Sequence, residues 1–276
     1  MSKTEYRMAA LDMDGTLLNT AHQVSPHSRE VLKACAEAGK LIALSTGRCL
    51  SELREFLSEL PGIAYVIGEN GACVYDIARK TFHFQITMDD ADVAAILEAA
   101  QGLDVHLQAF VGNQSYMQDG DRATFSHFNI GDFYTVFQAG SEFVNDVGAL
   151  CLSNPGRIEK INLYFPDNAT KDVFAARVAK RGVAVSGSIG VGCECSPVGV
   201  SKASGLRALC DALDIPIAQT IAIGDGGNDL DILSAAGFSV AMGNAIDSVF
   251  QLADAVTDDC DHDGCARALK KYLLHR

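Results

Sequence analysis

Three short apolar runs of the sequence each lead directly into a polar turn, and this pattern constrains the fold more than any other feature. The runs and their turns are 8–11 before Asp12-Met13-Asp14-Gly15, 41–44 before Ser45-Thr46-Gly47-Arg48, and 220–223 before Gly224-Asp225-Gly226-Gly227-Asn228-Asp229. Buried strands of parallel sheets are continuous apolar runs of about this length. Since helical segments separate the runs, the sequence predicts an α/β fold with right-handed crossover connections.

Cap and turn residues predict where the elements of this core begin and end. Ser25 and Pro26 are typical of a helix start, and Gly39 is typical of a helix end. A second helix is expected to end at Pro61-Gly62. The other predicted core elements are strands over 64–67 and 238–241 and helices from about Leu230, over 245–252 and over 266–274.

The pattern changes between about residue 84 and residue 190. Consecutive strands are joined there by short turns with glycine or asparagine, which indicates an antiparallel sheet in an inserted α+β domain. The predicted helices of this insert are 89–100, 122–128, a short one around Phe143, and 169–180. Its predicted strands are 105–110, 115–118, 133–137 and 160–165, with two more around Val183 and Val191.

The predicted division is a core domain of residues 1–83 and 191–276 and an inserted domain of residues 84–190. A length of 276 residues is sufficient for two domains, each with an apolar core. The four phenylalanines expected in the core of the insert are Phe125, Phe128, Phe133 and Phe137.

Composition and charge narrow the class of protein. Hydrophobic residues make up 48% and charged residues 21% of the chain, as in ordinary globular proteins. No apolar stretch approaches the roughly eighteen residues that span a bilayer, and Met1-Ser2-Lys3-Thr4-Glu5-Tyr6 has no apolar signal core, so a cytoplasmic protein without a membrane partner is expected. The net charge of −13 repels phosphate backbones and argues against nucleic acid as the main partner.

The nine cysteines are expected to be reduced thiols, because their number is odd and no signal peptide is predicted. Cys193-x-Cys195 and Cys260-x-His262-x-x-Cys265 contain residue types that bind zinc. Neither has the C-x-x-C spacing of common zinc sites, and the first alternates as a strand does. A zinc site is therefore the weaker alternative.

The three polar turns are expected to converge, because ligands of open parallel sheets bind beyond the carboxyl ends of the strands. Asp12, Asp14 and Asp225 would then form a hard oxygen site that suits Mg²⁺. Thr46 offers a hydroxyl group at a helix start, where backbone amides hold anions well. Lys202, at the start of another helix, supplies a compact positive charge.

Four motifs in this order resemble those of one enzyme superfamily. They are Leu11-Asp12-Met13-Asp14-Gly15-Thr16-Leu17-Leu18, Ser45-Thr46-Gly47-Arg48, Lys202, and Ile223-Gly224-Asp225-Gly226-Gly227-Asn228-Asp229. Three further segments resemble the same superfamily less specifically: Glu69-Asn70-Gly71-Ala72, 239–245 and Asp261-x-Asp263-Gly264. Along nearly its whole length the chain resembles the haloacid dehalogenase superfamily, specifically Cof-type phosphatases with a C2B cap. This resemblance implies a Rossmann-like parallel-sheet core with an inserted α+β cap domain.

The resemblance also implies a reaction, the hydrolysis of phosphate esters with Mg²⁺ as cofactor. Asp12 would attack phosphorus to form an aspartyl-phosphate, and Asp14 would act as general acid and then general base. The metal would be held by Asp12, the backbone carbonyl of Asp14 and Asp225, with Asp229 completing the group.

The remaining matched residues would bind the phosphate. Thr46, Gly47 and Lys202 would hold the phosphoryl oxygens, and Asn228 would orient the phosphate or the waters of the metal. Arg48 would either reach the substrate or pair with a surface acid. Asn70-Gly71 is a good turn sequence by its chemistry alone and is not assigned to the site.

Two alternatives to a phosphatase stay open at this stage. A phosphomutase would use the same nucleophile and acid but return the phosphoryl group to a sugar. A binding protein would keep the fold without turnover, although all six residues from Asp12 to Asp229 that the chemistry needs are present. Small phosphorylated metabolites such as sugar phosphates are the expected substrates, and the sequence determines neither the specific substrate nor the oligomeric state.

Overall fold

The computed structural model describes residues 5–180 and 183–276. The first four residues, which belong to the segment predicted to lack a signal core, lie outside these ranges. Within the described ranges, no helix is both long enough and apolar enough to cross a membrane.

Strands and helices alternate along the described residues. The strands are β1 (Met8–Leu11), β2 (Leu41–Ser45), β3 (Ile63–Gly68), β4 (Cys73–Asp76), β5 (Thr81–Gln85), β6 (His106–Val111), β7 (Gln114–Gln118), β8 (Ser141–Val144), β9 (Ile158–Tyr164), β10 (Ala184–Ser188), β11 (Gly192–Ser196), β12 (Thr220–Gly224), β13 (Phe238–Ala241) and β14 (Ala255–Val256). The helices are α1 (Pro26–Glu37), α2 (Leu50–Glu59), α3 (Asp90–Ala100), α4 (Arg122–His127), α5 (Tyr134–Gly140), α6 (Val147–Leu152), α7 (Asn168–Ala179), α8 (Lys202–Leu213), α9 (Leu230–Ala235), α10 (Asp247–Leu252) and α11 (Gly264–Ala268).

The chain divides into two compact units. The first comprises Met1–Gly47, Phe56–Gln85 and Val200–Arg276, and the second comprises Arg48–Glu55 and Ile86–Gly199. The predicted boundaries differ from this division in three places. Residues 48–55 and 191–199, which include strand β11, belong to the second unit although they were predicted to lie in the core, and residues 84–85 belong to the first unit although they were predicted to lie in the insert.

The first unit is built on an eight-stranded sheet in the order β14-β13-β12-β1-β2-β3-β4-β5. The strands from β14 to β3 are parallel, whereas β4 and β5 add an antiparallel edge that the sequence analysis did not predict. Every residue of β1 is buried, as expected for a strand covered on both faces. The predicted α/β class with a largely parallel core sheet is confirmed.

Local signals act as predicted in the first helix of this unit. The hydroxyl oxygen of Ser25 accepts a hydrogen bond from the Ser28 backbone N–H, and Pro26 occupies the first turn. Both features satisfy or remove backbone donors that a helix start would otherwise leave unpaired. Helix α1 therefore begins where the cap residues predict.

The second unit contains a six-stranded sheet in the order β10-β11-β9-β6-β7-β8, in which only the β7–β8 pair is parallel among the described strands. Alternate residues such as Ile161, Leu163 and Cys195 pack into an apolar core with helices α3, α6 and α7. The opposite face of β9 carries Lys160 and Asn162, which are also buried. Both faces of the sheet are therefore covered at β9.

An aromatic cluster lies in the same unit and explains one wrong prediction. Phe125, Phe128 and Phe137 are buried and Phe133 packs against them, so the predicted role of these phenylalanines is confirmed. The segment 133–137, however, is not a strand but runs into helix α5, and the residues around Phe143 form strand β8 instead of a helix. The spacing of four between Phe133 and Phe137 places both rings on one helical face, where they contact each other.

Candidate active site

Two neighbouring parallel strands position the first two acids of the site. Leu11 at the end of β1 is in register with Ile223 of β12, and the backbone N–H of Asp12 donates a hydrogen bond to the Ile223 carbonyl over 2.9 Å. Asp225 follows the last residue of β12. The predicted convergence of these two turns at one sheet edge is therefore present in the fold.

Three carboxylates meet at this edge of the sheet. Asp12, Asp225 and Asp229 each offer one oxygen, and the three oxygens lie within 4.8 Å of one another. Asp12 and Asp229 are buried and Asp225 is half-buried. Like charges at such a distance repel strongly when they are shielded from water, so the cluster requires positive charge nearby.

Lys202 provides part of this charge. It is the first residue of α8, whose start is fixed by a capping box between Ser201 and Ser204, and its side chain is wholly buried. Its ammonium nitrogen lies 2.5 Å from Oδ1 of Asp12 and 2.7 Å from Oδ1 of Asp229. Lys202 therefore joins a strand-end acid of β1 to an acid that follows β12.

The second oxygen of Asp229 organises the loop after β12. It accepts hydrogen bonds from the backbone N–H groups of Asp225 and Gly226, at 3.0 and 2.9 Å. Since Lys202 occupies the other oxygen, both Asp229 oxygens already have partners. Asp229 is consequently suited to hold the loop and the lysine in place.

Asp225 is held from the other side by residues that sequence reasoning did not assign to the site. The Thr16 hydroxyl donates to Oδ1 of Asp225 over 2.8 Å, and the Asn244 amide donates to the Gly15 carbonyl over 2.8 Å and to Oδ2 of Asp225 over 3.4 Å. Thr16 and Asn244 both lie in motifs noted in the sequence, which was the available signal. Gly15 has a φ of +81°, and a Cβ there would lie 2.6 Å from Oδ2 of Asp225.

Burial dominates the protonation behaviour of this cluster. It raises the pKa of Asp225, although the hydrogen bond from Thr16 opposes the shift, and it raises the pKa of Asp12 against the effect of Lys202. For Lys202, burial lowers the pKa, but the charges of Asp12 and Asp229 more than compensate, so its pKa lies above the ordinary value. The lysine is therefore charged, and the acids would be stabilised by a further cation.

The second motif lies in the same unit and is tied to the fourth. Thr46 is buried and follows β2, and its backbone N–H donates to the Ile67 carbonyl over 2.9 Å. Asn228 is exposed, and its amide donates to Oδ1 of Asn70 over 3.4 Å. The Asn70 side chain also lies next to Gly47, where a Cβ would meet its Oδ1 at 3.3 Å. Asn70, which the sequence analysis left out, thus connects the two motifs.

The remaining assigned residues have different surroundings. Asp14 is exposed, and its backbone forms an isolated bridge with Leu18. Arg48 belongs to the second unit, where its charge opposes the pKa increase that burial causes at Glu52. The cysteine patterns are not part of the acidic group: Cys193 and Cys195 pack in the apolar core of the second unit.

Comparison with known proteins places the whole chain in one family. The sequence profile of the haloacid dehalogenase-like hydrolases matches residues 9–269. Phosphatase YwpJ of Bacillus subtilis is 28% identical over 97% of this chain and 100% of its own length. The 5-amino-6-(5-phospho-D-ribitylamino)uracil phosphatase YitU of the same organism is 28% identical over 98% of this chain and 99% of its own.

The fold comparison agrees with the sequence comparison. A crystal structure of a haloacid dehalogenase-like hydrolase from Bacteroides thetaiotaomicron superposes with a TM-score of 0.84, at 25% identity, over 97% of this chain and 99% of that one. Because both proteins are covered almost completely, the likeness includes both units. The resemblance inferred from the four motifs is confirmed.

Proposed function

The chain belongs to the haloacid dehalogenase-like hydrolase family, and from this premise we propose that it is a phosphatase that hydrolyses small phosphorylated metabolites, with sugar phosphates as the expected class. A relative's name supports the size and type of substrate, since YitU acts on a phosphorylated ribityl compound. The reaction is Mg²⁺-dependent and passes through an aspartyl-phosphate on Asp12. The cytoplasmic location stays a prediction.

The observation that carries this proposal is the group of Asp12, Asp225 and Asp229 around the Lys202 ammonium. One oxygen of each of the three carboxylates lies within 4.8 Å of the others, and the buried Lys202 ammonium donates to two of the three, Asp12 and Asp229. Such an arrangement leaves net negative charge in a partly buried place, which suits a divalent cation and a phosphate that it neutralises.

The donor set fits Mg²⁺ because it consists of oxygen atoms only. Lys202 uses one oxygen of Asp12, so the second oxygen of Asp12, the carboxylate of Asp225 and the Asp14 carbonyl are the proposed ligands. Asp229 belongs to the same group but already accepts three hydrogen bonds, so it orients the loop and the waters. When bound, the ion would neutralise charge on the phosphoryl group.

Asp12 and Asp14 perform the covalent chemistry in two displacements. An Asp12 carboxylate oxygen bonds to phosphorus while the ester oxygen leaves and takes a proton from Asp14. Water then attacks the same phosphorus, Asp14 accepts its proton, and the bond to Asp12 breaks to release phosphate. Asp14 is therefore protonated again at the end of the second step, as it was before the first.

The other residues bind the transferred group. Lys202 stabilises negative charge on the phosphoryl oxygens, and Thr46 with the amide of Gly47 supplies neutral donors. Asn228, exposed at the turn after β12, orients the phosphate. Arg48, the last residue of the second motif, is the remaining candidate for substrate contact.

The first prediction tests the nucleophile. Asp12→Asn keeps the shape of the side chain but removes its nucleophilic oxygen, so phosphate release should fall by about 10⁴-fold or more. The measurement is phosphate release from a panel of phosphorylated sugars and nucleotides, with Mg²⁺ and with a chelator. Asp211→Asn, an exposed acid on α8, is the matched control and should retain wild-type rates.

Two results would contradict the proposal. Robust turnover by Asp12→Asn would exclude the aspartyl-phosphate, and undiminished turnover in chelator would exclude the metal. Transfer of phosphate to a second position of a sugar, without release, would identify a phosphomutase instead.

A further inference from the structure

The turn Glu69-Asn70-Gly71 is the most unusual stretch of backbone in the first unit. All three residues have positive φ angles, 53°, 55° and 102° in chain order. For Glu69 and Asn70 this conformation costs free energy because their Cβ atoms crowd the backbone. Consecutive residues adopt it only when the surrounding structure compensates for that cost, and such strain is concentrated at functional sites.

The backbone of the turn is attached to the second motif. The N–H of Asn70 donates to the Thr46 carbonyl over 2.9 Å, and the N–H of Thr46 donates to the carbonyl of Ile67, near the end of strand β3. The amide group of Asn70 then lies beside Gly47, with both its terminal atoms near the place of a Cβ. A single residue thus fixes both the backbone of Thr46 and the space beside Gly47.

The same turn supports the helix that carries the catalytic lysine. A Cβ on Gly71 would clash with the Ser201 carbonyl, and one on Gly205 would lie 3.0 Å from the Cα of Gly71. Helix α8 therefore approaches this turn too closely for any side chain at residue 71. Since Lys202 is the first residue of α8, the position of the turn determines where its ammonium group lies.

Asn70 also contacts the fourth motif, through the 3.4 Å hydrogen bond that its Oδ1 accepts from the Asn228 amide. This hydrogen bond is long and exposed, so it orients the Asn228 side chain but adds little to the stability of the fold. The turn consequently contacts Thr46-Gly47, the start of α8 and Asn228, which are the three groups assigned above to the phosphate.

We infer that Asn70 is a positioning residue for the phosphoryl group: it aligns Thr46-Gly47 and Asn228 for the transition state without itself reacting. This inference rests on the proposed function. It predicts an effect on kcat larger than the effect on KM, because misaligned donors lose most where charge develops during the reaction.

Asn70→Gly is the informative substitution, because glycine adopts the left-handed backbone without strain and only the amide group is lost. With p-nitrophenyl phosphate and Mg²⁺, we expect kcat to fall about 10- to 100-fold, KM to change less than about threefold, and the melting temperature to be kept. Inhibition by orthovanadate, which resembles the transition state, should weaken more than inhibition by inorganic phosphate.

A control and a second variant make the result decisive. Lys80, exposed between β4 and β5, also has a left-handed backbone conformation. Lys80→Gly should therefore leave kcat, KM and the inhibition by orthovanadate and phosphate unchanged. Asn70→Asp keeps the shape but adds negative charge beside Gly47, so its inhibition by inorganic phosphate should weaken beyond that of Asn70→Gly.

The inference is overturned if Asn70→Gly keeps kcat and orthovanadate inhibition within twofold of wild type, or if its kcat falls only together with its melting temperature. Failure of the proposed function would be seen elsewhere, in wild type without metal-dependent turnover or in an active Asp12→Asn. If wild type does not turn over, equal binding of orthovanadate by wild type and Asn70→Gly in calorimetry overturns the positioning role as well.

Discussion

Lys202 of the first unit and Lys160 of the second are both almost wholly buried, yet their surroundings differ. Lys202 lies 2.5 and 2.7 Å from two carboxylates. Lys160 lies 3.6 Å from the carboxylate of Glu194, its ammonium is 4.4 Å from the centre of the Phe110 ring, and its charge also opposes the pKa increase that burial causes at Glu52. The first lysine donates hydrogen bonds to two carboxylates of a group of three, whereas the ion pair of the second with Glu194 is longer and an aromatic face covers its ammonium.

The difference shows that burial alone does not distinguish the lysine proposed for the site from a buried lysine elsewhere. A buried lysine is stable wherever hydrogen bonds, an acid or a ring compensates for lost hydration. What distinguishes Lys202 is the excess of carboxylates around it, which leaves charge for a metal and a phosphate to balance. The comparison can be tested by replacing each lysine in the same way.

Lys202→Met should have the largest effect, on both activity and stability. Asp12 and Asp229 would then be buried without their shared cation, which should lower the free energy of unfolding by about 3 to 5 kcal/mol. Turnover should fall by about 10²- to 10³-fold through loss of transition-state stabilisation. Phosphate release and urea unfolding measure the two effects, and near-wild-type turnover would show that another residue binds the phosphoryl group.

Lys160→Met should reduce stability alone. Glu194 is partly exposed and can regain water, and methionine can fill the space over Phe110, but buried Glu52 loses a favourable charge. A loss of about 2 to 3 kcal/mol is therefore expected in urea unfolding. Turnover should stay within about threefold of wild type, well short of the loss expected for a phosphoryl-binding donor. A loss of activity as large as that of Lys202→Met would break the comparison.

His106 is a third buried basic residue, and unlike the two lysines it is kept neutral by burial. It is buried beside the rings of Phe125 and Phe128, at 4.8 and 5.2 Å between centroids, and within the described ranges its Nε2 atom has no hydrogen-bond partner. Burial lowers its pKa to about 4. The unfolded chain, with a histidine pKa of about 6.5, therefore binds a proton first as the pH falls.

This difference in pKa predicts acid sensitivity of the second unit. Stability should decrease as the pH falls below about 6.5 and level off near pH 4, with a loss of about 2 kcal/mol between pH 7 and pH 5 from this residue. Urea unfolding at several pH values measures it, with His106→Phe as the comparison. An identical pH dependence in the variant would show that His106 is not the group responsible.

Much of the fold follows from local signals that the sequence contains. The apolar run of β1, the capping residues of α1 and the turn after α2 predict elements that the structure has at nearly the same positions. The strand prediction for residues 133–137 was wrong. Aromatic residues favour strands locally, but the packing of Phe137 against Phe125 and Tyr164 stabilises a helix there. The edge strands β4 and β5 have no comparable apolar run.

Candidate site residues could be predicted where a short sequence motif contains them. They could not be predicted where their conformation depends on packing against distant segments of the chain. Asp12, Asp225 and Lys202 were assigned from their motifs, and the fold brings them together. The left-handed backbone of Asn70 depends on how α8 packs against its turn, and that is a property of two segments distant in sequence. The burial of Lys160 likewise depends on the covered face of its sheet.

The approach of Gly15 to Asp225 has a consequence for how this protein can change over time. Because a Cβ at residue 15 would lie 2.6 Å from an Asp225 oxygen, even alanine would displace an assigned metal ligand. Substitutions of Gly15 are therefore not tolerated as long as Asp225 keeps its position. Residues that do not approach these acids are not subject to this restriction.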